Sequence, residues 1–135
     1  MKGSCLCGAV SITAPDQTRT SACHCTMCRR WGGGPLFAVH CGPDVVIDNP
    51  DTITNYRSSE WAERGFCSMC GTHLYYRFDG SEDYILFAGF FGDDVPFVLE
   101  EQIFIDSKPG FYEFANATEN MTGAEVFAKF APGGN

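Results

Sequence analysis

Seven of the chain's eight cysteines stand in three tight groups: Cys5-Leu6-Cys7, Cys23-His24-Cys25-Thr26-Met27-Cys28 and Cys67-Ser68-Met69-Cys70. Closely spaced thiols are the donors zinc takes, and a structural zinc fills all four corners of a tetrahedron with them. Seven divides into four and three. Four thiolates close one centre, whereas three leave a position open for an outside molecule, which is the pattern of a catalytic zinc. The cysteines alone therefore imply two zinc ions per chain, the one with fewer ligands the more labile.

Spacing suggests which groups pair. In Cys67-Ser68-Met69-Cys70-Gly71 the turn aims both sulfurs one way, and Gly71 permits a positive φ after the second ligand. Cys5-Leu6-Cys7-Gly8 puts both sulfurs on one face of an extended segment, where alternate side chains point alike. The two elements match as halves of one four-cysteine centre. Cys23, Cys25 and Cys28 then form the three-ligand centre, and His24 points away from the metal if its neighbours share a face. Two other arrangements stay open: the first and second groups sharing one ion, or Cys41 closing the second centre. Cys41 is otherwise expected as a buried, inert thiol at a strand end.

Other cysteine chemistries fit less well. A disulfide framework needs an oxidising compartment, of which the sequence gives no sign. The spacings match neither ferredoxin run. A redox pair at Cys25 and Cys28 belongs at a helix start in a βαβ setting, and none is expected here.

The 135 residues suit a single domain, 44% hydrophobic and rich in phenylalanine. Seventeen acidic residues against nine basic ones give a net charge of −8, with the basic residues scattered. Such a surface repels phosphate backbones, so nucleic acid is not an expected partner. No apolar run approaches the ~18 residues of a membrane span, so no membrane partner is expected. Met1-Lys2-Gly3-Ser4-Cys5 carries no apolar signal stretch, and the expected location is the cytoplasm, where thiols stay reduced.

The elements that must position these groups read as mostly β. Strands are expected at Ala9–Thr13, Leu36–His40, Thr52–Arg57, His73–Phe78, Tyr84–Ala88 and Gln102–Asp106. Turn clusters such as Ala14-Pro15-Asp16, Cys41-Gly42-Pro43-Asp44 and Asp79-Gly80-Ser81 separate them, which favours antiparallel pairing. Trp31-Gly32-Gly33-Gly34-Pro35 reads as a flexible loop, and Phe87-Ala88-Gly89-Phe90-Phe91 as core. Thr122-Gly123-Ala124-Glu125 has the form of a capping box, so a short C-terminal helix is expected there, stopped by Pro132-Gly133-Gly134.

Four segments together resemble the glutathione-dependent formaldehyde-activating enzyme family: Gly3–Val10, Cys23–Arg30, Phe66–Leu74 and Gln102–Pro109, with Phe111 at a position usually aromatic. Together they span residues 3 to about 112. The resemblance implies one domain over 1–135, with a core at about 3–112 and a C-terminal extension at 113–135. It implies a β-tent fold of antiparallel sheets organised around a four-cysteine zinc. Cys5, Cys7, Cys67 and Cys70 would be that structural site, and Cys23, Cys25 and Cys28 the catalytic-type site. The implied reaction joins glutathione, a small thiol, to a small aldehyde, formaldehyde, and is formally a carbon–sulfur lyase in reverse. Gln102 stands where the family often has histidine.

Under that expectation each neighbouring residue has a role to be tested. A thiol entering the open position would be deprotonated by the metal and add to an aldehyde carbonyl. Arg29 and Arg30 offer guanidinium forks to a carboxylate of a peptide thiol. His24 and His73 are the histidines near the cysteines, His24 as a helper in proton transfer and His73 in a strand pattern. The rival expectation is a non-catalytic module whose zinc ions organise a small β fold for binding. The oligomeric state is not legible.

Overall fold

Turn residues break this chain into short elements, as the sequence suggests. The computed structural model describes residues 1–130. The strands are β1 (Lys2–Ser4), β2 (Ser11–Thr13), β3 (Arg19–Cys23), β4 (Leu36–Gly42), β5 (Val46–Asp48), β6 (Ile53–Arg57), β7 (Ala62–Cys67), β8 (His73–Phe78), β9 (Tyr84–Phe87), β10 (Val98–Ile103) and β11 (Glu119–Met121). The α-helices among the described residues are α1 (Thr26–Gly32) and α2 (Gly123–Phe130). The protein is mainly β. No helix among the described residues is long and apolar enough to cross a membrane. The chain forms two compact units, Met1–Thr18 with Ala38–Phe97, and Arg19–Phe37 with Val98 onward.

The first unit is antiparallel throughout. β1, β2 and β5 form a three-stranded sheet in that order. Its other strands follow the order β4-β9-β8-β7-β6. Val10, Ile12, Val39, Leu74 and Leu86 are fully buried in its core, and the thiols of Cys5, Cys41 and Cys67 share that core. Apolar burial of this kind contributes about 25 cal/mol for each Å² removed from water. Phe90 and Phe91 are buried here too, as expected, although on a 3-10 turn over Ala88–Phe91 rather than a strand. Gly65 is required by packing: a Cβ there would stand 2.3 Å from the Tyr75 ring.

The second unit departs from the expected antiparallel pairing. β10 runs parallel to β3 on one side and to β11 on the other. Its register sets Gln102 opposite Ala22 and Ile103 opposite Cys23, so β10 lies directly against the chain that leads into the second cysteine group. The strand expected over Gln102–Asp106 ends at Ile103, because Phe104 turns left-handed (φ 54°) into a 3-10 turn over Ile105–Ser107. Bulky residues rarely adopt that conformation. Here the Phe104 ring is packed edge-on against Phe127, and Gly123 leaves it room, since a Cβ there would come within 2.8 Å.

Two helix expectations fared differently. The capping box formed: the Thr122 N–H donates to Glu125 Oε1 at 2.9 Å, and the Glu125 N–H to Thr122 Oγ1 at 3.2 Å. The Pro132-Gly133-Gly134 stop lies outside the described residues. The loop expected from Trp31 onward is corrected, because α1 runs through Gly32. Gly33 ends it in the left-handed conformation (φ 83°), donating its N–H to Arg29 O at 2.8 Å. A glycine run at a helix end is a stop signal as much as a loop signal.

Candidate metal centres

The knuckle at Cys67 follows β7 directly. The Gly71 N–H closes back on Cys67 O at 2.8 Å, with Gly71 left-handed at φ 77°. Gly8 repeats the geometry at φ 81°, its N–H on Cys5 O at 3.0 Å. These turns bring the sulfurs of Cys5, Cys7, Cys67 and Cys70 within 4.8 Å of one another. Cys5 and Cys7 stand 3.6 Å apart, and Cys7 and Cys67 3.8 Å. A tetrahedron with metal–sulfur bonds of about 2.3 Å has edges of about 3.8 Å, so the donor set fits zinc.

Thr72, which the sequence did not single out, joins the two halves. Its hydroxyl accepts the Leu6 N–H at 3.0 Å and donates to Cys70 Sγ at 3.1 Å. That hydroxyl, followed by the Thr72 backbone N–H, holds the Cys70 thiol down to about 5. Cys7 goes the other way, up to about 11: the Ala9 N–H lowers it, but desolvation and the adjoining thiols outweigh this. Four thiols at such distances cannot all ionise beside one another without a cation between them.

The second group is built on a strand end and a helix start. Cys23 closes β3, and Cys25 caps α1 with its sulfur accepting the Cys28 N–H at 3.3 Å. The sulfurs of Cys23, Cys25 and Cys28 lie within 4.8 Å of one another, and no fourth His, Cys, Asp or Glu joins them among the described residues. Cys41 falls in neither group. It sits in the core of the first unit, where burial pushes its thiol up to about 11. The first and second groups do not merge either, since each gathers around its own point. All eight cysteines are free thiols. The Cys25–Cys28 pair does begin a helix, against expectation, although the setting is not a βαβ unit, because β4 to β9 also intervene between β3 and its parallel partner β10.

The thiols of Cys25 and Cys28, with burial, push Cys23 far above the ordinary range. A metal ion at this point would replace the shared protons. His24 is fully buried, its Nδ1 2.7 Å from the Tyr112 hydroxyl and its Nε2 2.8 Å from Gln102 Oε1. Burial lowers its pKa, and the positive charges of Lys108 and Arg29 lower it further. Arg29 donates from Nε to His24 O at 2.9 Å and from Nη2 to Ser107 O at 3.3 Å, while Arg30 is exposed on α1. His73 lies in the first unit, on β8, edge-on to Phe87. Sequence reasoning missed Tyr112. An aromatic nine residues past β10 has no local signature, and only the tertiary contact reveals it.

Known proteins resemble this chain. The family model described as glutathione-dependent formaldehyde-activating enzyme matches residues 1–107. An uncharacterized lyase of Schizosaccharomyces pombe is 36% identical over 127 residues, 93% of each chain. A Halomonas elongata protein, provisionally named a glutathione-dependent formaldehyde-activating enzyme, is 26% identical over 133 residues, 89% of this chain and 84% of its own. A crystal structure of a Rhodobacter sphaeroides protein superposes with a TM-score of 0.58 at 25% identity, covering 68% of this chain and 88% of that one. With paired knuckles, a three-cysteine helix start and a matching model over 1–107, this chain belongs to the glutathione-dependent formaldehyde-activating enzyme family.

Proposed function

We propose that the chain holds zinc at both cysteine groups, as one domain, and catalyses carbon–sulfur bond formation and cleavage between a small thiol and an aldehyde. The observation that carries this reading is the three-cysteine group, with room in its donor set for one more ligand. Zinc there would supply the positive charge that favours the thiolate form of an incoming thiol. In the forward direction the thiol sulfur bonds to the carbonyl carbon, the carbonyl π bond opens, and the thiol's proton ends on the new hydroxyl oxygen. The reverse releases thiol and aldehyde.

The chain's own residues would bind and orient. Cys23, Cys25 and Cys28 fix the reacting position, and proximity is itself a large part of such catalysis. Arg30 on α1 offers its guanidinium to a carboxylate of the thiol, and Arg29 braces the loop through the carbonyls of His24 and Ser107. Glutathione and formaldehyde are the proposed pair, on the strength of the family description and the Halomonas elongata relative's name. A reducing cytoplasm suits eight free thiols. A second reading, a zinc-stabilised binding module without catalysis, draws on the engagement of both His24 ring nitrogens within the protein.

Exchange spectroscopy on a mixture of glutathione and carbon-13 formaldehyde separates the two. Catalytic amounts of the zinc-loaded protein should speed interconversion of the adduct and its components, with native mass spectra showing two zinc ions. Interconversion at the uncatalysed rate with both zinc ions present would leave the binding module standing.

A further inference from the structure

Side-chain hydrogen bonds run from the C-terminal segment into the middle of the second cysteine group. Beyond the Tyr112–His24–Gln102 contacts, Gln102 Nε2 donates to Thr118 Oγ1 at 2.9 Å, and the Thr118 hydroxyl donates to Asn120 Oδ1 at 2.7 Å. Their polarity follows link by link. Thr118 gives its proton to Asn120, so its oxygen accepts from the Gln102 amide nitrogen. The Gln102 amide oxygen therefore faces His24 and accepts from Nε2–H. A neutral imidazole carries one N–H, so Nδ1 accepts and the Tyr112 hydroxyl donates to it.

The main chain holds the same point. The His24 N–H donates to Ile103 O at 3.1 Å. The imidazole packs against the Tyr112 and Phe114 rings, centroids 5.5 and 5.8 Å away. Lys108 donates to Tyr112 O and Pro109 O, which fixes the turn that presents the tyrosine. Cys23 and Cys25 flank His24 in sequence, so a displacement of the His24 backbone moves the residues that carry both sulfurs.

We infer that Tyr112 is a positioning residue of the second centre: through His24 it holds Cys23 and Cys25 at the spacing a three-thiolate site needs, and residues 108–118 form a latch over that loop. The inference rests on the proposed reading that these cysteines hold metal. It adds that retention there depends on a residue outside the 1–107 match. It also makes His24 a fixed pivot, with both ring nitrogens engaged within the protein.

The test uses the zinc-loaded full chain and Tyr112→Phe, which removes the hydroxyl and keeps the ring. Zinc release to a chelator, followed in time, should show the second centre releasing about 10-fold faster, the scale expected when a supporting contact around ligands is lost. The first centre should be unchanged. Long-range proton–nitrogen spectra supply a readout that a merely structural role would not move. Wild-type His24 should be protonated at Nε2, and its bare Nδ1 should shift downfield in the variant. Release at wild-type rates from both centres, or a wild-type His24 protonated at Nδ1, would overturn the latch. If Tyr112→Phe does not fold, Thr118→Val cuts the same chain at its far end: faster zinc release from the second centre alone supports the latch, and release at wild-type rates overturns it. Uptake of only one zinc by the wild type would overturn the function proposed above, while His24 protonation on that sample would still decide whether Tyr112 holds it.

Discussion

The two cysteine groups use the same donor atom on very different lengths of chain. The first joins Cys5 and Cys7 to Cys67 and Cys70, across some sixty residues, and two of its four cysteines are part of the apolar core. The second takes all three donors from Cys23 to Cys28. A cross-link over a long loop penalises the unfolded chain more than one over a short loop. With zinc at both groups as proposed, the first centre would be coupled to folding of its unit, whereas the second would shape only a strand end and one helix turn. On that proposal stability concentrates where the chain closes on itself, and chemistry is left to a group the fold should survive without.

The most severe test breaks each centre in turn. Cys67→Ser should lose one metal equivalent and unfold the first unit, since structural zinc binding is worth on the order of 10 kcal/mol against a typical total stability of about 5–15. Cys25→Ser should also lose one equivalent, yet keep its unfolding free energy in urea denaturation to within about 1 kcal/mol. Equal loss of stability in the two variants, by urea denaturation with metal analysis, would erase the distinction.

A smaller effect sharpens the comparison within the first centre. Thr72→Val removes the hydroxyl that spans the knuckles, and should weaken zinc there about 10-fold in a chelator competition while leaving the second centre unaffected. An unchanged first-centre affinity would mean that the knuckles need no bridge.

The smallest effect concerns Cys41, the cysteine in neither group. Burial raises its thiol from 9.0 to about 11 in the folded protein, so the folded state keeps its proton longer than the unfolded chain does. The unfolded chain then binds fewer protons between these values, and stability falls as pH rises through that window. One proton gives a slope of at most about 1.4 kcal/mol per pH unit. Cys41→Ala should flatten this alkaline slope in urea titrations run from pH 9 upward, with both metals retained. Loss of a metal in that variant would assign Cys41 a role that its place in the core does not give it.

The sequence by itself determined the short-range features. Knuckle spacing, the glycines after Cys7 and Cys70, and the Thr122–Glu125 box depend on residues at most a few positions apart, where backbone geometry leaves few outcomes. The three cysteine clusters were legible for the same reason, whereas the pairing of Cys5 and Cys7 with Cys67 and Cys70 was left among alternatives until the fold brought them together. Tertiary structure alone decided what depends on distant partners. β10 was free to pair in either direction until β3 and β11 lay beside it, and the strand expected past Ile103 gave way when Phe104 turned to pack against α2. Thr72 and Tyr112 gained their parts only when folding brought them to Leu6 and to His24. A hydroxyl carries no sign in sequence of which donor or acceptor it will meet, because that meeting is set by packing over tens of residues.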